Sequence, residues 1–131
     1  MSIAVTWDSP ENQAIIRYIF DGMWTWAEFA QANRQSKHML ENVNQEIAVI
    51  LDMRESDFIQ AGAMARMQYW PERLHPRVDM WIFVGASAYI KTLARVYNRL
   101  YGRGTRPAIH FAHDLPTARQ MIAHVRGQTS V

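Results

Sequence analysis

A chain of 131 residues, 49% apolar and 20% charged, has the makeup of a single globular domain with a sizeable core. With no cysteine it can hold no disulfide, thiolate metal site, iron–sulfur cluster or cysteine nucleophile. Its formal charge of +2 is too near balance to announce a nucleic-acid binder, and its longest apolar run, Ile47–Leu51, falls far short of the roughly 20 residues of a membrane span.

The N-terminal stretch Met-Ser-Ile-Ala-Val-Thr-Trp-Asp lacks the basic and long apolar regions of a secretory signal, so a cytoplasmic address is expected. Ile3–Trp7 alternates weakly and runs into the turn composition Asp8-Ser9-Pro10-Glu11-Asn12. Ala14–Phe20 reads as a second strand, so the two predict a hairpin closed by Asp21-Gly22. Thr25-Trp26-Ala27-Glu28 is a capping box, because the Thr hydroxyl can accept from the amide three residues on while Glu28 reaches back. The helix it starts is expected to run to about Asn42 and to bury Phe29, Ala32, Ser36, Met39, Leu40 and Val43.

Ile47–Leu51 is apolar without alternation and is followed by Asp52, the pattern of a central strand covered on both faces. Ser56 or Asp57 is placed to cap a second helix with Ile59, Ala63, Met67 and Trp70 on one stripe. Val78–Val84 predicts the next strand. Gly85-Ala86-Ser87 turns into a third helix with the stripe Ile90, Leu93, Ala94, Tyr97, Leu100 and Tyr101, ended by Gly102. Ala108–Ala112 is a last short strand. Asp114 caps a last helix carrying Leu115, Ala118, Ile122 and Val125, with Pro116 tolerated in its first turn. The order β-β-α-β-α-β-α-β-α predicts one α/β domain over residues 1–131: a five-stranded mixed, mainly parallel sheet covered by about four helices.

The hairpin, the stretch Tyr18-Ile19-Phe20-Asp21-Gly22-Met23-Trp24-Thr25-Trp26-Ala27-Glu28-Phe29 and the strand Ile47–Asp52 resemble the STAS-like group, relatives of the sporulation anti-sigma-factor antagonist. The tail resembles it too, through Phe83-Val84-Gly85, the helix to Tyr101, Ile109-His110-Phe111 and Ala118-Arg119. The resemblance covers most of the chain as a pattern of elements. It implies the same fold and a non-catalytic regulatory or binding role. Members carry Asp-Ser-Ser/Thr-Gly at the start of the second helix, where a kinase phosphorylates the Ser. Here the stretch reads Asp52-Met53-Arg54-Glu55-Ser56-Asp57-Phe58, without the motif. Ser56 is the phosphorylation candidate: a helix N-terminus would favour a phosphate there, and Glu55 and Asp57 would oppose it.

Other constellations stand beside plainer readings. Asp52, with Asp21, Ser87 and His110 near the same sheet edge, has the outline of a phosphoacceptor site, but the carboxylate pair and terminal Lys for such a site are missing; a strand-end Asp bonding loop amides is the plainer reading. Gly85-Ala86-Ser87 approximates a nucleophile elbow, although Tyr89 replaces its second glycine; Ser87 as a helix cap is the plainer reading, and the amides of Gly85–Ser87 are the expected place for any anion. His110 and His113 lie in a strand and a loop, a spacing that does not make them converge on a metal. Lys91, Arg95 and Arg99 recur every fourth residue, repelling one another by a few tenths of a kcal/mol per pair. They form either a solvated face or a dock for an acidic partner, a phosphate group or nucleic acid; no aromatic is interleaved on that face, so nucleic acid is not favoured. Trp24 and Trp26, expected to be partly exposed, could share a soft apolar surface with Met23, Met53, Met64 and Met67.

The sequence therefore predicts a non-catalytic STAS-like module without cofactor or metal. It would bind a partner protein, a second copy of itself (a homodimer) or a small apolar or anionic ligand through Asp52, Gly85, Ser87, Trp24, Trp26, Lys91, Arg95 and Arg99. The second reading is a carrier of a small apolar molecule. The third is a phosphoacceptor or hydrolase-type site at Asp52, Ser56 or Ser87.

Overall fold

The computed structural model describes residues 3–9, 14–56, 77–88, 91–92, 95–96, 99 and 108–127. Five strands form one sheet: β1 (Ile3–Trp7), β2 (Ile15–Gly22), β3 (Ile47–Ser56), β4 (Val78–Val84) and β5 (Ala108–Ala112). They lie side by side in chain order. β1 is antiparallel to β2, pairing Ile3 with Phe20 and Trp7 with Ile16. β2, β3, β4 and β5 are mutually parallel, so the sheet is mixed at one end only, as the sequence predicts.

Helix α1 (Trp26–Leu40) follows β2 and helix α2 (Leu115–Val125) follows β5. The α1 capping box is closed in both directions: Glu28 N–H donates to Thr25 Oγ1 at 3.1 Å, and Thr25 N–H to Glu28 Oε1 at 3.1 Å. At α2, Thr117 N–H donates to Asp114 Oδ1 at 2.8 Å, with Pro116 in the first turn where no intrahelical donor is needed. Of the four helices expected, these two are described in full. Residues 88, 91, 92, 95, 96 and 99 have helical backbone at the position of the third. The stretch predicted as the second, with Asp57, Met64, Met67 and Trp70, lies outside the described residues, as does the third helix's apolar stripe.

Side chains alternate across a strand, so β3 supplies both faces of the core. Val49, Leu51 and Met53 point to the α1 side with Ile16, Tyr18, Phe20, Trp81, Phe83, Ala32 and Leu40. Ala48 and Ile50 point to the other, with Met80, Ile82, Val84, Leu115, Ala118 and Ile122. The two helices therefore lie on opposite faces and the architecture has three layers. The α1 stripe follows the expected spacing, with Ala32, Ser36, Leu40 and Val43 buried and Phe29 and Met39 partly so. In α2 the fourth stripe position differs. Val125 stands 59% exposed, and Met121 packs on the core instead.

Candidate functional site at the carboxyl end of the sheet

β2, β3, β4 and β5 run in one direction, so their carboxyl ends share one rim. In open α/β sheets ligands settle outside that rim. Three segments leave it here: Met23–Thr25 into α1, Gly85–Ser87 after β4, and His113-Asp114 into α2.

One strand boundary is corrected at the rim. β3 does not stop at Leu51 but continues to Ser56, so Asp52 lies inside the strand. Ser56 is the last residue of the strand, and the helix it is expected to cap lies outside the described residues. The physical cause is a pairing within the strand. Asp52 and Arg54 are two residues apart, hence on the same face. Arg54 Nε and Nη2 donate to the two oxygens of Asp52, each at 2.8 Å, and the Arg54 amide donates to Oδ1 at 3.3 Å. A charged pair that satisfies itself this way can extend a strand that each charge alone would end. Asp52 is 5% exposed. Burial acts to raise its pKa, but the hydrogen bonds from Arg54, reinforced by the charges of Arg54 and Arg17, hold it below the ordinary carboxylate value.

The stem of Arg54 crosses Gly85, which has φ +70°. A Cβ at Gly85 would stand 2.5 Å from Arg54 Cγ. Glycine is thus required twice at this position, for the left-handed backbone and for the close approach. Ser87 is exposed, and its carbonyl accepts from the Lys91 amide at 3.0 Å, which opens the helical backbone that follows.

On the α1 side of the rim, Gly22 (φ +63°) turns the chain back. That reversal lays Trp24 over Phe20, with ring centroids 5.2 Å apart, edge to face. Trp24 is 4% exposed rather than partly exposed as expected. Its Nε1–H donates to Ser56 Oγ at 3.1 Å, giving the buried indole an acceptor. Trp26 stands edge to face with Trp24 at 5.1 Å and is half-buried. Met53 belongs to the core, whereas Met23 is 69% exposed. The apolar surface at this corner is therefore Met23 with Trp26, on a base of Phe20, Trp24 and Phe29.

Ion pairs that no local pattern announces continue from the rim down the α2 face. Arg119 of α2 donates twice to Asp8, at 2.8 and 2.9 Å, with Arg17 at 3.8 Å. The Arg119 hydrogen bond outweighs burial and holds the Asp8 pKa below its usual range. Arg126, just past α2, pairs with both oxygens of Asp79 and reaches Glu46 at 3.5 Å. Asp8 lies 111 residues from Arg119 in sequence, so helical or strand periodicity could not have found this pair.

The remaining candidates do not gather into one cluster. Asp21 is exposed, and its neighbour in register on β3 is Glu55, not Asp52. His113 Nε2 lies 2.9 Å from Asp114, the α2 cap. No group of three or more metal-ligating side chains occurs among the described residues. Lys91, Arg95 and Arg99 are exposed on helical backbone after β4. No helix among the described residues is long and apolar enough to cross a membrane.

An antiparallel hairpin feeding alternating helices and parallel strands, in sequential strand order, is the SpoIIAA-like, or STAS-like, fold. An uncharacterised protein of the DUF3478 family from Shewanella loihica PV-4, described as having a SpoIIAA-like fold, matches this chain with a TM-score of 0.67. The match covers 92% of this chain and 93% of that protein at 16% sequence identity, so the likeness is one of fold. No family model and no curated protein matches the chain.

Proposed function

We propose that this chain is a non-catalytic STAS-like interaction module that engages a partner protein or small ligand at the carboxyl end of its sheet. The supporting observation is how the polar groups of that rim are engaged. Both oxygens of Asp52 are held by Arg54, Ser56 Oγ accepts from Trp24, and Asp114 caps α2, while Met23 projects 69% exposed beside the tryptophans. A rigid base carrying an apolar contact suits recognition better than group transfer.

The test takes the purified chain through native mass spectrometry and light scattering, then through incubation with acetyl phosphate and with p-nitrophenyl acetate. The reading expects a retained ligand, or a self-association that Met23→Asp weakens, and no covalent phosphate or ester turnover. Stoichiometric phosphate lost in Asp52→Ala, or ester hydrolysis abolished by Ser87→Ala, would overturn it. The second reading, a carrier of a small apolar molecule, is favoured by the rings of Phe20, Trp24, Trp26 and Phe29, whose neighbouring centroids lie about 5–6 Å apart. Its mark is an apolar adduct in the native mass spectrum.

A further inference from the structure

Arg17, Arg54, Arg119 and Arg126 each face an aspartate. Lys91, Arg95 and Arg99 are different. They sit on helical backbone, where Lys91 N–H donates to Ser87 O and Thr92 Oγ1 to Ala88 O, both at 3.0 Å. All three side chains are exposed, and among the described residues none of them forms an ion pair. Residues four apart on an α-helix are separated by about 6 Å along the axis and about 40° around it. The three cations therefore make a row about 12 Å long that stays on one side of the helix. Thr92 and Val96, the latter 37% exposed, lie next to the row.

We propose that this row docks an acidic helical segment of a partner protein, one presenting carboxylates at four-residue intervals. Such a segment has the same rise between charges as the row it meets, so three opposite pairs form in register. Val96 adds an apolar contact that a protein side chain can match. A nucleic acid is less well served, since the net charge is only +2. This surface is separate from Met23 and Trp26, and its test does not depend on the rim.

The experiment measures fluorescence anisotropy of a labelled Ala/Gln-rich helical peptide carrying Glu at every fourth position, titrated with the full chain at about 50 mM salt. Expected are saturable binding, weakening with added salt, and a loss of about tenfold or more in the triple variant Lys91→Glu/Arg95→Glu/Arg99→Glu. The same variant should gain affinity for the matching peptide with Lys in place of Glu. Arg34→Glu/Lys37→Glu, which reverses two exposed charges on α1, should change binding by no more than about twofold. Circular dichroism checks each fold, and Arg95→Glu alone, expected to cost about threefold, serves if the triple variant does not fold. The proposal is overturned if reversal leaves peptide binding unchanged, or if the α1 control weakens it equally. It is also overturned if a single-stranded oligonucleotide or phosphatidylserine vesicles bind the wild type more tightly than the peptide and lose that binding in the triple variant.

Discussion

Replacing Gly85 with alanine sets two separable penalties on one atom. A non-glycine residue in the left-handed region costs about 1–2 kcal/mol. The new Cβ would also stand 2.5 Å from Arg54 Cγ and 3.1 Å from Arg54 Cα, which forces the arginine away from Asp52. Crowding of this kind costs about 1–3 kcal/mol, so Gly85→Ala should destabilise by about 2–5 kcal/mol in all. Gly22 is the internal control. Its φ is +63°, but nothing lies within 4 Å of its would-be Cβ, so Gly22→Ala should cost only the conformational part. Urea unfolding followed by tryptophan fluorescence measures both, and the comparison requires equal slopes. A cycle with Arg54→Ala, which removes Cγ, should recover about 1–2 kcal/mol of the Gly85→Ala cost. Equal costs at the two glycines, or no coupling to Arg54, would refute the argument that Arg54 fixes the residue at position 85.

The Asp8 carboxylate has its folded-state pKa lowered, so its stabilising contribution is present above the unfolded carboxylate pKa of about 3.9 and is lost as pH falls through the folded value. Asp8→Asn should therefore cost about 1–3 kcal/mol at pH 7, a difference that shrinks below about pH 4; persistence of the full difference at pH 2 would contradict the pairing with Arg119. Glu46 has the opposite sign: its hydrogen bond and charge repulsion with Asp79 raise its pKa, so the folded state prefers it protonated. Glu46→Gln should raise the urea midpoint at pH 7 and lose that advantage at acidic pH, and a lower midpoint at pH 7 would show that its contact with Arg126 prevails. Thr25→Ala removes the oxygen that accepts from Glu28 N–H and should cost about 1 kcal/mol by the same unfolding measurement, with Thr25→Ser close to wild type.

Local chemistry made much of this molecule legible from its residues. Thr25 and Asp114 announce their helices because capping is a short-range hydrogen bond between neighbours in sequence. The strands Ile3–Trp7, Val78–Val84 and Ala108–Ala112 appear with the expected bounds because apolar runs between turn residues have few other uses. β3 runs past Asp52 against expectation, because a charge usually leaves a sheet and nothing local tells that Arg54 returns to clamp it. The burial of Trp24 is hidden from the sequence because it depends on the reversal at Gly22, which brings an indole beside a helix cap back over Phe20. The residues that hold α2 to the sheet, Asp8, Arg17, Arg119, Asp79 and Arg126, carried no signal at all, since each pair is set by the assembled fold.

That clasp between Asp8 and Arg119 has a bearing on biosynthesis. A nascent chain presents the β1–β2 hairpin at the ribosome exit well before α2 exists, and until Arg119 emerges Arg17 is the cation left to the Asp8 carboxylate among the described residues. Vectorial synthesis thus delays this fastening until α2 has been made, so that the layer on that side joins two parts of the chain synthesised far apart in time.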